Sequence, residues 1–441
     1  MQEFIDKNNL FDKDDQLLVA VSGGVDSVVA AFLLNECGYK IVLAHCNFGL
    51  RGEASDLDEE FVEELAVELK VPFSVAQFDT RQYCKENKIS IQMGARKLRY
   101  SWLKETALEK DCSFIVMAHH ATDQVESILM NMLRGTGIRG YYGMLPKNGK
   151  IVRPLLFASR QEIQDFADQQ SLNWREDESN QEIYYERNLI RHNVLPELRK
   201  ITPGLESAFF ENSKRAAGAF KIFQQEIERF AGQCLTKTDQ YISIDLPLLL
   251  QKEQPDIYLN EWLRPYGFNY ALVKEVTKLY EAPPGRKVAA RNFQVFKDRE
   301  TLLICPVFKN KPAELEISQA DQKVRHGDMK LELKVVPRNE MTDLNLPSGF
   351  CLDFDKLKFP LKLRLVGNGD QFRPLGMEGS KKVSDYLTDE KVPVPLKERT
   401  RILESEGVPA VLIGHREDEQ FKVDENTKNV LIGKFSFSSS K

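Results

Sequence analysis

Glycines and hydroxyl side chains follow a short apolar segment near the start of the chain, in an order that suits phosphate binding. The segment Leu17–Val21 is apolar and short enough to be a buried strand, and Ser22–Ser27 reads S-G-G-V-D-S before a helical pattern begins. A strand, a glycine-rich turn and a helix N-terminus direct backbone N–H groups and the positive end of the helix dipole at an anion. Gly23 and Gly24 allow the backbone to approach that anion closely. The sequence therefore predicts a phosphate site.

Asp26 is the residue of this loop that does not suit a bare phosphate, because like charges repel. A carboxylate is useful there if a divalent cation lies between it and the phosphate oxygens. The hydroxyl groups of Ser22 and Ser27 can donate hydrogen bonds to the same oxygens. The loop therefore predicts a nucleotide bound together with Mg²⁺. The alternative is a turn that merely joins a strand to a helix, and the chain contains no Walker A sequence.

A second pair of carboxylates lies in the segment A-H-H-A-T-D-Q-V-E-S at 118–127. Asp123 and Glu126 are three residues apart at a predicted helix start, so they lie on one face of the helix. Such a pair can hold Mg²⁺ or bind a substrate ammonium group, and the alternative is that two acids complement the helix dipole. Ser22, His45 and His119 all fall at the carboxyl ends of predicted strands, which indicates a single site.

The elements that must position these residues alternate between strand and helix. Predicted strands cover Ile41–His45, Val71–Phe78 and Phe114–Ala118, and apolar periodicity predicts a helix from Gln92 to Lys110 and another that begins near Thr122. A capping box of Ser55 and Asp58 predicts a further helix that begins at Ser55. This alternation predicts an α/β fold, with a Rossmann-like parallel sheet and helices on both of its faces.

Three domains are predicted, with boundaries at 1–205, 206–315 and 316–441. The first is the α/β domain. The second is largely helical up to Cys234 and mixed beyond it, and the third is a small α+β domain because Lys330–Val336 and Leu361–Val366 alternate like strands.

The composition is that of an ordinary globular protein, with a net charge of −5. No apolar run reaches the ~18 residues of a membrane span, and the seven cysteines are scattered with no C-x-x-C pair. We therefore expect a cytoplasmic protein with reduced thiols and no membrane partner. Two basic stretches, Lys85–Lys104 and Ser127–Gln161, predict a local nucleic-acid surface, although solvated basic faces are common.

Two further segments are compatible with phosphate contact. Gly135–Gly140 spells G-x-G-x-x-G but follows a predicted helix, so it is interpreted as a flexible basic loop. Tyr141 and Tyr142 beside it either stack on bases or belong to the core. Arg187, Asn188 and Arg191 would share a helix face after a loop at 177–180, and a solvated charged surface is the alternative.

Taken together, these segments resemble the tRNA(Ile)-lysidine synthetase family of the N-type ATP pyrophosphatases, or PP-loop superfamily. The matching segments are S-G-G-V-D-S at 22–27, G-A-R-K-L-R-Y at 94–100, A-H-H-A-T-D-Q-V-E-S at 118–127, R-G-T-G-I-R-G at 134–140, V-R-P-L-L at 152–156 and R-N-L-I-R at 187–191. The segment 369–383 resembles the C-terminal tRNA-contacting domain of the family. Phe48 and Gln92 depart from a histidine and a glutamate that many members carry, so His45 and Gln92 are given no catalytic role.

The resemblance implies an ATP-dependent ligation of L-lysine to C2 of the wobble cytidine in the CAU anticodon of tRNA(Ile), through an adenylated cytidine, which changes codon reading from AUG to AUA. It implies ATP and Mg²⁺ as cofactors, with Asp26 as a magnesium ligand and Asp123 and Glu126 serving Mg²⁺ or the lysine amine. The implied ATP-binding residues are Ser22, Gly23, Gly24, Val25, Asp26 and Ser27. The implied contacts to tRNA or phosphate are Arg96, Arg99, Arg139, Arg191, Arg373, Lys381 and Lys382. The sequence leaves a homodimer open.

Three other functions share parts of this pattern. A tRNA thiolase with a PP-loop usually needs paired cysteines, and this chain has no C-x-x-C. A small-molecule amidating ligase needs an ammonia source and would give the basic segments no purpose. A non-catalytic nucleotide-binding regulator would tolerate the loss of Asp26, Asp123 and Glu126, all of which are present.

Overall fold

The computed structural model describes residues 1–175, 186–308, 311–341, 343–344 and 346–437. The chain forms two compact units, Met1–Gln224 and Gln225–Lys441. The loop predicted at 177–180 lies outside the described residues.

The first unit alternates strands and helices, as predicted. Its strands are β1 (Gln16–Ala20), β2 (Lys40–Asn47), β3 (Phe73–Gln77), β4 (Phe114–Val116), β5 (Lys147–Asn148) and β6 (Ile151–Val152). Its helices are α1 (Gln2–Lys7), α2 (Val25–Glu36), α3 (Glu53–Leu69), α4 (Thr80–Asn87), α5 (Ile91–Glu109), α6 (Ala121–Leu133), α7 (Arg160–Gln169), α8 (Glu186–Leu189) and α9 (Leu195–Ile201), and α10 (Leu205–Cys234) begins in this unit.

The strand order is β3-β2-β1-β4-β6-β5, with parallel pairing everywhere except between β5 and β6. Strand β1 has β2 on one side and β4 on the other, so the chain order reverses at β1. In open α/β sheets, ligands bind in the crevice that such a reversal leaves at the carboxyl ends of the strands. Residues that follow β1 and β4 therefore face the same crevice.

Both faces of the sheet are buried, which explains why β1 is apolar from Leu17 to Ala20. Leu17 and Val19 pack on one face in a cluster with Val28 of α2 and Val62 of α3. Leu18 points to the other face, in a cluster with Leu103 of α5. A strand covered on both sides has no polar face to alternate with, as in parallel sheets generally. The predicted parallel sheet with helices on both faces is thus confirmed.

Helix α3 begins at Glu53, so the capping box predicted at Ser55 and Asp58 was wrong. Gly52, with φ +57°, turns the chain into the helix before Ser55 is reached. The Ser55 hydroxyl then accepts a hydrogen bond from the Arg51 N–H at 3.2 Å. Asp58 instead binds arginines, at 2.5 Å from Arg51 and 2.6 Å from Arg175.

The second unit consists mainly of antiparallel strands. Its helices after α10 are α11 (Leu246–Leu249), α12 (Pro255–Leu263), α13 (Tyr270–Thr277), α14 (Val383–Asp389) and α15 (Val394–Lys397). Its strands are β7 (Leu235–Lys237), β8 (Ile242–Asp245), β9 (Lys287–Ala289), β10 (Phe293–Asp298), β11 (Thr301–Pro306), β12 (Leu315–Ile317), β13 (Lys323–His326), β14 (Met329–Pro337), β15 (Gly349–Asp353), β16 (Leu361–Leu365), β17 (Gln371–Phe372), β18 (Lys381–Lys382), β19 (Arg401–Ser405), β20 (Val408–Ile413), β21 (Arg416–Glu417) and β22 (Asn429–Phe437).

These strands form antiparallel sheets in the orders β7-β8-β11-β10-β9, β12-β16-β19-β20-β21 and β13-β14-β22-β15, with β17 and β18 as a separate ribbon. Helix α10 confirms the helical pattern predicted up to Cys234, and β14 and β16 confirm the two predicted alternating segments. The fold class is therefore the one predicted. Within the described ranges, no helix combines the length and the apolar character needed to cross a membrane.

Candidate active site

The loop Ser22–Ser27 connects the carboxyl end of β1 to the N-terminus of α2 and is held by its own two serines. The Ser27 hydroxyl accepts from the Ser22 N–H at 3.1 Å and donates to the Gly24 carbonyl at 2.8 Å, and the two hydroxyl oxygens are 3.3 Å apart. Gly24 is the N-cap of α2 and supplies no capping side chain. The first N–H groups of α2 thus point into the crevice, as an anion site requires.

Gly23 is required by the backbone of this loop. Its φ is +90°, which side-chain-bearing residues rarely adopt. Its carbonyl accepts a hydrogen bond from the Arg175 N–H at 3.0 Å, and Arg175 in turn binds Asp58 through Nε at 2.6 Å. The loop is therefore braced from behind by a residue far away in sequence.

Asp26 lies in the first turn of α2 and has one oxygen paired and one unpaired. Its Oδ2 contacts the Arg160 guanidinium, which lies in the first turn of α7. Its Oδ1 is buried with no hydrogen-bond partner in the described part of the chain, and the nearest cationic candidate, His120 Nε2, is 3.9 Å away. Burial raises the pKa of Asp26 despite the nearby His120 and Arg160. The carboxylate thus lacks a close positive partner on one side.

Asp123 caps the helix on which it lies, so it has the helix-terminal role that the sequence offered as the alternative to ligand binding. Its Oδ2 accepts from the His120 N–H at 3.1 Å, in a capping box at the start of α6. Burial by itself would raise the pKa of Asp123, but His120, Arg187 and His119 together hold it below its usual range. Asp123 is therefore ionised, and it is more than a cap because its other oxygen binds two arginines.

Glu126 has a side chain with no exposed surface and is neutralised by Arg187 and Arg191. Arg187 donates from Nε to Glu126 Oε2 at 2.5 Å and from Nη2 to Asp123 Oδ1 at 2.8 Å. Arg191 donates from Nε to Glu126 Oε1 at 2.5 Å and from Nη2 to Asp123 Oδ1 at 3.2 Å. The two carboxylates and two guanidiniums form one closed network, and we call these four residues the carboxylate–arginine cluster.

The histidines at the strand ends have different surroundings. His119 Nδ1 accepts a hydrogen bond from Arg153 Nε at 3.1 Å, and burial lowers the pKa of His119 to about 4. His119 is therefore neutral at pH 7, with its proton on Nε2. His45 is buried and donates from Nδ1 to the Val21 carbonyl at 2.9 Å, which is a structural role that supports the end of β1.

The other predicted phosphate contacts lie outside this cluster. In the first unit, Arg96 and Arg99 project from α5 over Tyr100 and Phe48, at 4.9 and 5.2 Å from the ring centroids. Arg139 lies 4.4 Å from the ring centroid of Phe220.

In the second unit, Lys381 and Lys382 form β18, which pairs with Gln371–Phe372. Lys381 binds Asp389 at 2.5 Å. Arg373 follows that ribbon and is exposed. These three cations therefore share one turn.

Sequence reasoning missed several partners of the site. Arg160 and Arg175 contact Asp26 and the loop, yet each is far away in sequence and lies in no motif that marks it. Arg153 lies in the matching segment V-R-P-L-L at 152–156, but the sequence did not indicate that it binds His119. The four-residue spacing of Arg187 and Arg191 was visible, and on a helix it places both on one face. The sequence could not indicate that this face turns toward Asp123 and Glu126.

The donor set fits Mg²⁺ bound jointly with a nucleotide. Among the described residues, no group of three or more histidine, cysteine, aspartate or glutamate side chains could enclose a metal ion. Mg²⁺ commonly takes only one or two carboxylates and completes its shell with water and substrate phosphates. The buried, unpartnered Oδ1 of Asp26 beside the loop supplies one such ligand. The carboxylate–arginine cluster does not fit a metal, because its oxygens are occupied by guanidinium groups.

Comparisons with known proteins agree with this geometry. A PP-loop domain matches residues 1–198, and a TilS substrate binding domain matches residues 237–307. The tRNA(Ile)-lysidine synthase of Bacteroides thetaiotaomicron is 38% identical to this chain, and the alignment covers 98% of both. The enzyme of the same name from Parabacteroides distasonis is 37% identical over 98% of both chains. That of Caldanaerobacter subterraneus subsp. tengcongensis is 31% identical over 97% of this chain and 95% of its own. Full-length similarity at this level shows that the chain belongs to the tRNA(Ile)-lysidine synthase family.

Proposed function

We propose that this chain uses ATP to join L-lysine to C2 of the wobble cytidine in the CAU anticodon of tRNA(Ile), giving lysidine. The observation that carries the proposal is the position of Asp26, 3.9 Å from His120, which begins the helix that bears Asp123 and Glu126. The phosphate loop and the carboxylate–arginine cluster therefore face one crevice. An adenylating ligase needs both: the loop would bind pyrophosphate, and the cluster would bind AMP beside the amine that replaces it.

In the first step, the C2 carbonyl oxygen of cytidine attacks the α-phosphorus of ATP, and the bond to pyrophosphate breaks. The hydroxyls of Ser22 and Ser27 and the N–H groups of the loop from Gly23 to Val25 bind the departing pyrophosphate. Asp26 would hold Mg²⁺, which supplies charge neutralisation on the phosphates when it is bound. Donors that are fixed before the reaction need no reorganisation as charge develops, which lowers the barrier.

In the second step, an amino group of lysine attacks C2, AMP leaves with the oxygen it activated, and the amine loses a proton. Glu126 is fully buried and paired, so we propose that Glu126 and Asp123 position Arg187 and Arg191 against the phosphate of AMP. The side chains of Arg187 and Arg191 keep 40% and 29% of their surface exposed, which leaves them accessible to that phosphate. The alternatives for the carboxylates are Mg²⁺ or the lysine ammonium group, which would have to displace an arginine.

The remaining cations would bind the tRNA backbone. We assign Arg96, Arg99 and Arg139 of the first unit and Arg373, Lys381 and Lys382 of the second unit to phosphate contacts. Of the three domains 1–205, 206–315 and 316–441, the first would carry catalysis and three of these contacts, and the third would carry the other three. A tRNA-binding part for the middle domain is supported by its match to a TilS substrate binding domain at 237–307. A tRNA substrate is the support for a cytoplasmic location.

A sulfur-transferring tRNA enzyme is the second candidate and is not favoured. All the cysteines lie in the described part of the chain, where none is paired and five of them are buried. Burial raises the pKa of Cys46 and Cys305 to about 12, so these thiols are not thiolates at pH 7. Reactive cysteines need a lowered pKa and access to solvent.

The test is incorporation of radiolabelled lysine into a tRNA(Ile) transcript that bears CAU, with ATP and Mg²⁺. A transcript with another anticodon is the matched control. Label confined to the CAU transcript and dependent on ATP is the expected result. Release of AMP with no label in either transcript would support adenylation but reject lysine as the attacking amine. No release of AMP at all would reject the proposed chemistry.

A further inference from the structure

Arg160 contacts the carboxylate of the phosphate loop with only part of its guanidinium group. Its Nη1 donates to Oδ2 of Asp26, and neither its Nε nor its Nη2 donates to any of the described residues. The Arg160 side chain is 45% exposed, so these donors are accessible to a ligand. A guanidinium carries five N–H donors in a planar fork that matches a carboxylate or a phosphate. Arg160 can therefore hold Asp26 and a second anion at the same time.

The start of α7 is held in place, which fixes the position from which the Arg160 side chain extends. The Glu162 carboxylate accepts hydrogen bonds from the Ser159 N–H at 2.7 Å and from the Ser159 hydroxyl at 2.8 Å. The Ala121 N–H at the start of α6 donates to the Ala158 carbonyl at 2.7 Å. Buried apolar side chains of α7 and α2 also pack in one cluster. Arg160 is thus anchored beside the N-termini of both helices that carry the site.

The surroundings of Arg160 indicate that the second anion is a phosphate group. Oδ1 of Asp26 is buried with no hydrogen-bond partner in the described part of the chain, which suits a magnesium ion shared with phosphate oxygens. The loop that carries Asp26 presents backbone N–H groups at a helix N-terminus, and these favour the same kind of ligand. Arginine binds phosphate through charge-assisted, often bidentate hydrogen bonds. A cation at this position would meet the phosphates that the loop binds.

The pairing with Asp26 does not by itself account for Arg160. Exposed ion pairs contribute little to the stability of a fold, and the side chain of Asp26 is 21% exposed beside the 45% of Arg160. A second role would be to orient the Asp26 carboxylate for Mg²⁺. An arginine with only that role acts through the metal ion, whereas an arginine that binds phosphate also acts without it. The two roles are therefore separable by experiment.

We propose that Arg160 binds the β- and γ-phosphates of ATP, and then the departing pyrophosphate, while its Nη1 holds Asp26. The proposal rests on the proposed function, since it takes the loop to bind those phosphates. In the adenylation step, the cytidine oxygen bonds to the α-phosphorus, and the bond to the bridging oxygen breaks with its electron pair passing to pyrophosphate. Arg160 stays protonated and transfers no atom, and its fixed charge stabilises the negative charge that develops there.

The experiment measures binding of inorganic pyrophosphate and of AMP to the full chain by titration calorimetry, with Mg²⁺ and again with a chelator. The variants are Arg160→Gln, Arg160→Lys, Asp26→Ala and the double variant Asp26→Ala/Arg160→Gln. Lys40→Gln is the matched control, because it removes one positive charge from an exposed position at the amino end of β2, on the edge of the sheet opposite the crevice. Unchanged binding of AMP shows that a variant is folded.

We expect Arg160→Gln to weaken the dissociation constant for pyrophosphate by about tenfold or more, with and without Mg²⁺. Arg160→Lys should recover part of this loss, and the loss should persist in the Asp26→Ala background. Lys40→Gln should change neither dissociation constant. A loss that appears only with Mg²⁺ and vanishes in the Asp26→Ala background would overturn direct contact. Unchanged binding of pyrophosphate, or an equal loss for AMP, would overturn it as well.

Lysine incorporation into the CAU transcript is measured in parallel. Labelling by the wild type, together with pyrophosphate binding that does not depend on Arg160, rejects the role of Arg160 alone. Arg160-dependent binding of pyrophosphate without any labelling supports that role and rejects lysine ligation alone.

Discussion

Arg191 donates a hydrogen bond from Nε to Oε1 of Glu126 at 2.5 Å, and the carboxylate that accepts it has no exposed surface. A fully buried carboxylate is tolerated only when it is paired, because an unpaired buried charge costs several kcal/mol. Substrate therefore meets the guanidinium groups of the cluster before it meets Glu126. This makes Glu126 a positioning residue, whose effect on catalysis passes through Arg187 and Arg191.

Replacing Glu126 by Gln should impair ligation without abolishing tRNA binding. The amide keeps the shape but accepts only through one oxygen, so both arginines shift, and a displacement of about 1 Å in a positioned group costs roughly a hundredfold in rate. The readout is kcat for lysidine formation beside the dissociation constant for tRNA. Arg191→Lys keeps the positive charge but loses the planar guanidinium that binds two carboxylates at once. It should likewise lower kcat while leaving the dissociation constant for tRNA nearly unchanged. Glu211→Gln is the surface control, and equal losses in both readouts would contradict the positioning role.

Asp26→Asn should abolish pyrophosphate release from ATP, with the tRNA dissociation constant unchanged within about twofold. The amide retains the size of the side chain but is a poor magnesium ligand, and removal of Mg²⁺ by a chelator should reproduce the loss in the wild type. Asp168→Asn, an exposed aspartate on the helix that carries Arg160, is the control. Pyrophosphate release at the wild-type rate by Asp26→Asn would refute the assigned role of Asp26.

His119 should remain neutral down to about pH 4, since burial lowers its pKa to about 4 from the ordinary 6.5. In the unfolded chain the same ring takes up a proton near pH 6.5. The unfolded state then binds more protons, so the contribution of His119 to stability is present above pH 6.5 and is lost as the pH falls toward 4. Histidine ring resonances followed by NMR against pH would report this, with His119→Gln identifying the signal. A titration near pH 6.5 would contradict it.

Gly94→Ala should destabilise the packing of α4 against α5. An added Cβ would lie 2.2 Å from Cys84 Sγ, closer than any real contact, and overpacking of this kind costs about 1–3 kcal/mol. Cys84→Ala removes that sulfur, so the double variant should melt at a higher temperature than Gly94→Ala alone. Melting temperatures of the two single variants and the double variant test the coupling. Strictly additive effects would show that the two positions do not meet.

Lys382→Ala should weaken tRNA binding more than Lys381→Ala does. Lys381 is already paired with Asp389 at 2.5 Å, whereas Lys382 is exposed on the same short ribbon. The logarithm of the association constant falls linearly with the logarithm of the salt concentration, and loss of one phosphate contact makes that slope less steep by about 1. Binding measured across a salt series should show that change for Lys382→Ala and a smaller one for Lys381→Ala. Identical slopes for the two variants and the wild type would remove this ribbon from the tRNA surface.

Local patterns in the sequence predicted the elements and the edge of the sheet on which the site lies. The apolar run before Ser22 and the alternation of strand and helix require a buried parallel sheet, and helix spacing alone places Asp123 and Glu126 together. The start of α3 could not be predicted, because Gly52 turns the chain earlier than the Ser55 signal. The pairing of Asp26 with Arg160, or of Glu126 with Arg191, depends on how distant helices pack, and no local pattern encodes that.

The acidic side of α3 shows that charge is unevenly distributed over the chain. Glu60, Glu63 and Glu64 line a shallow depression on that helix, whereas the segment from Ser127 to Gln161 has no acid at all. A charge of −5 is thus a sum over surfaces of opposite sign, not a uniform coat. An approaching polyanion is repelled from one and drawn to the other, so the field orients the RNA before any contact forms. Added salt would screen this long-range orientation at lower concentrations than those that weaken the close contacts of the assembled complex.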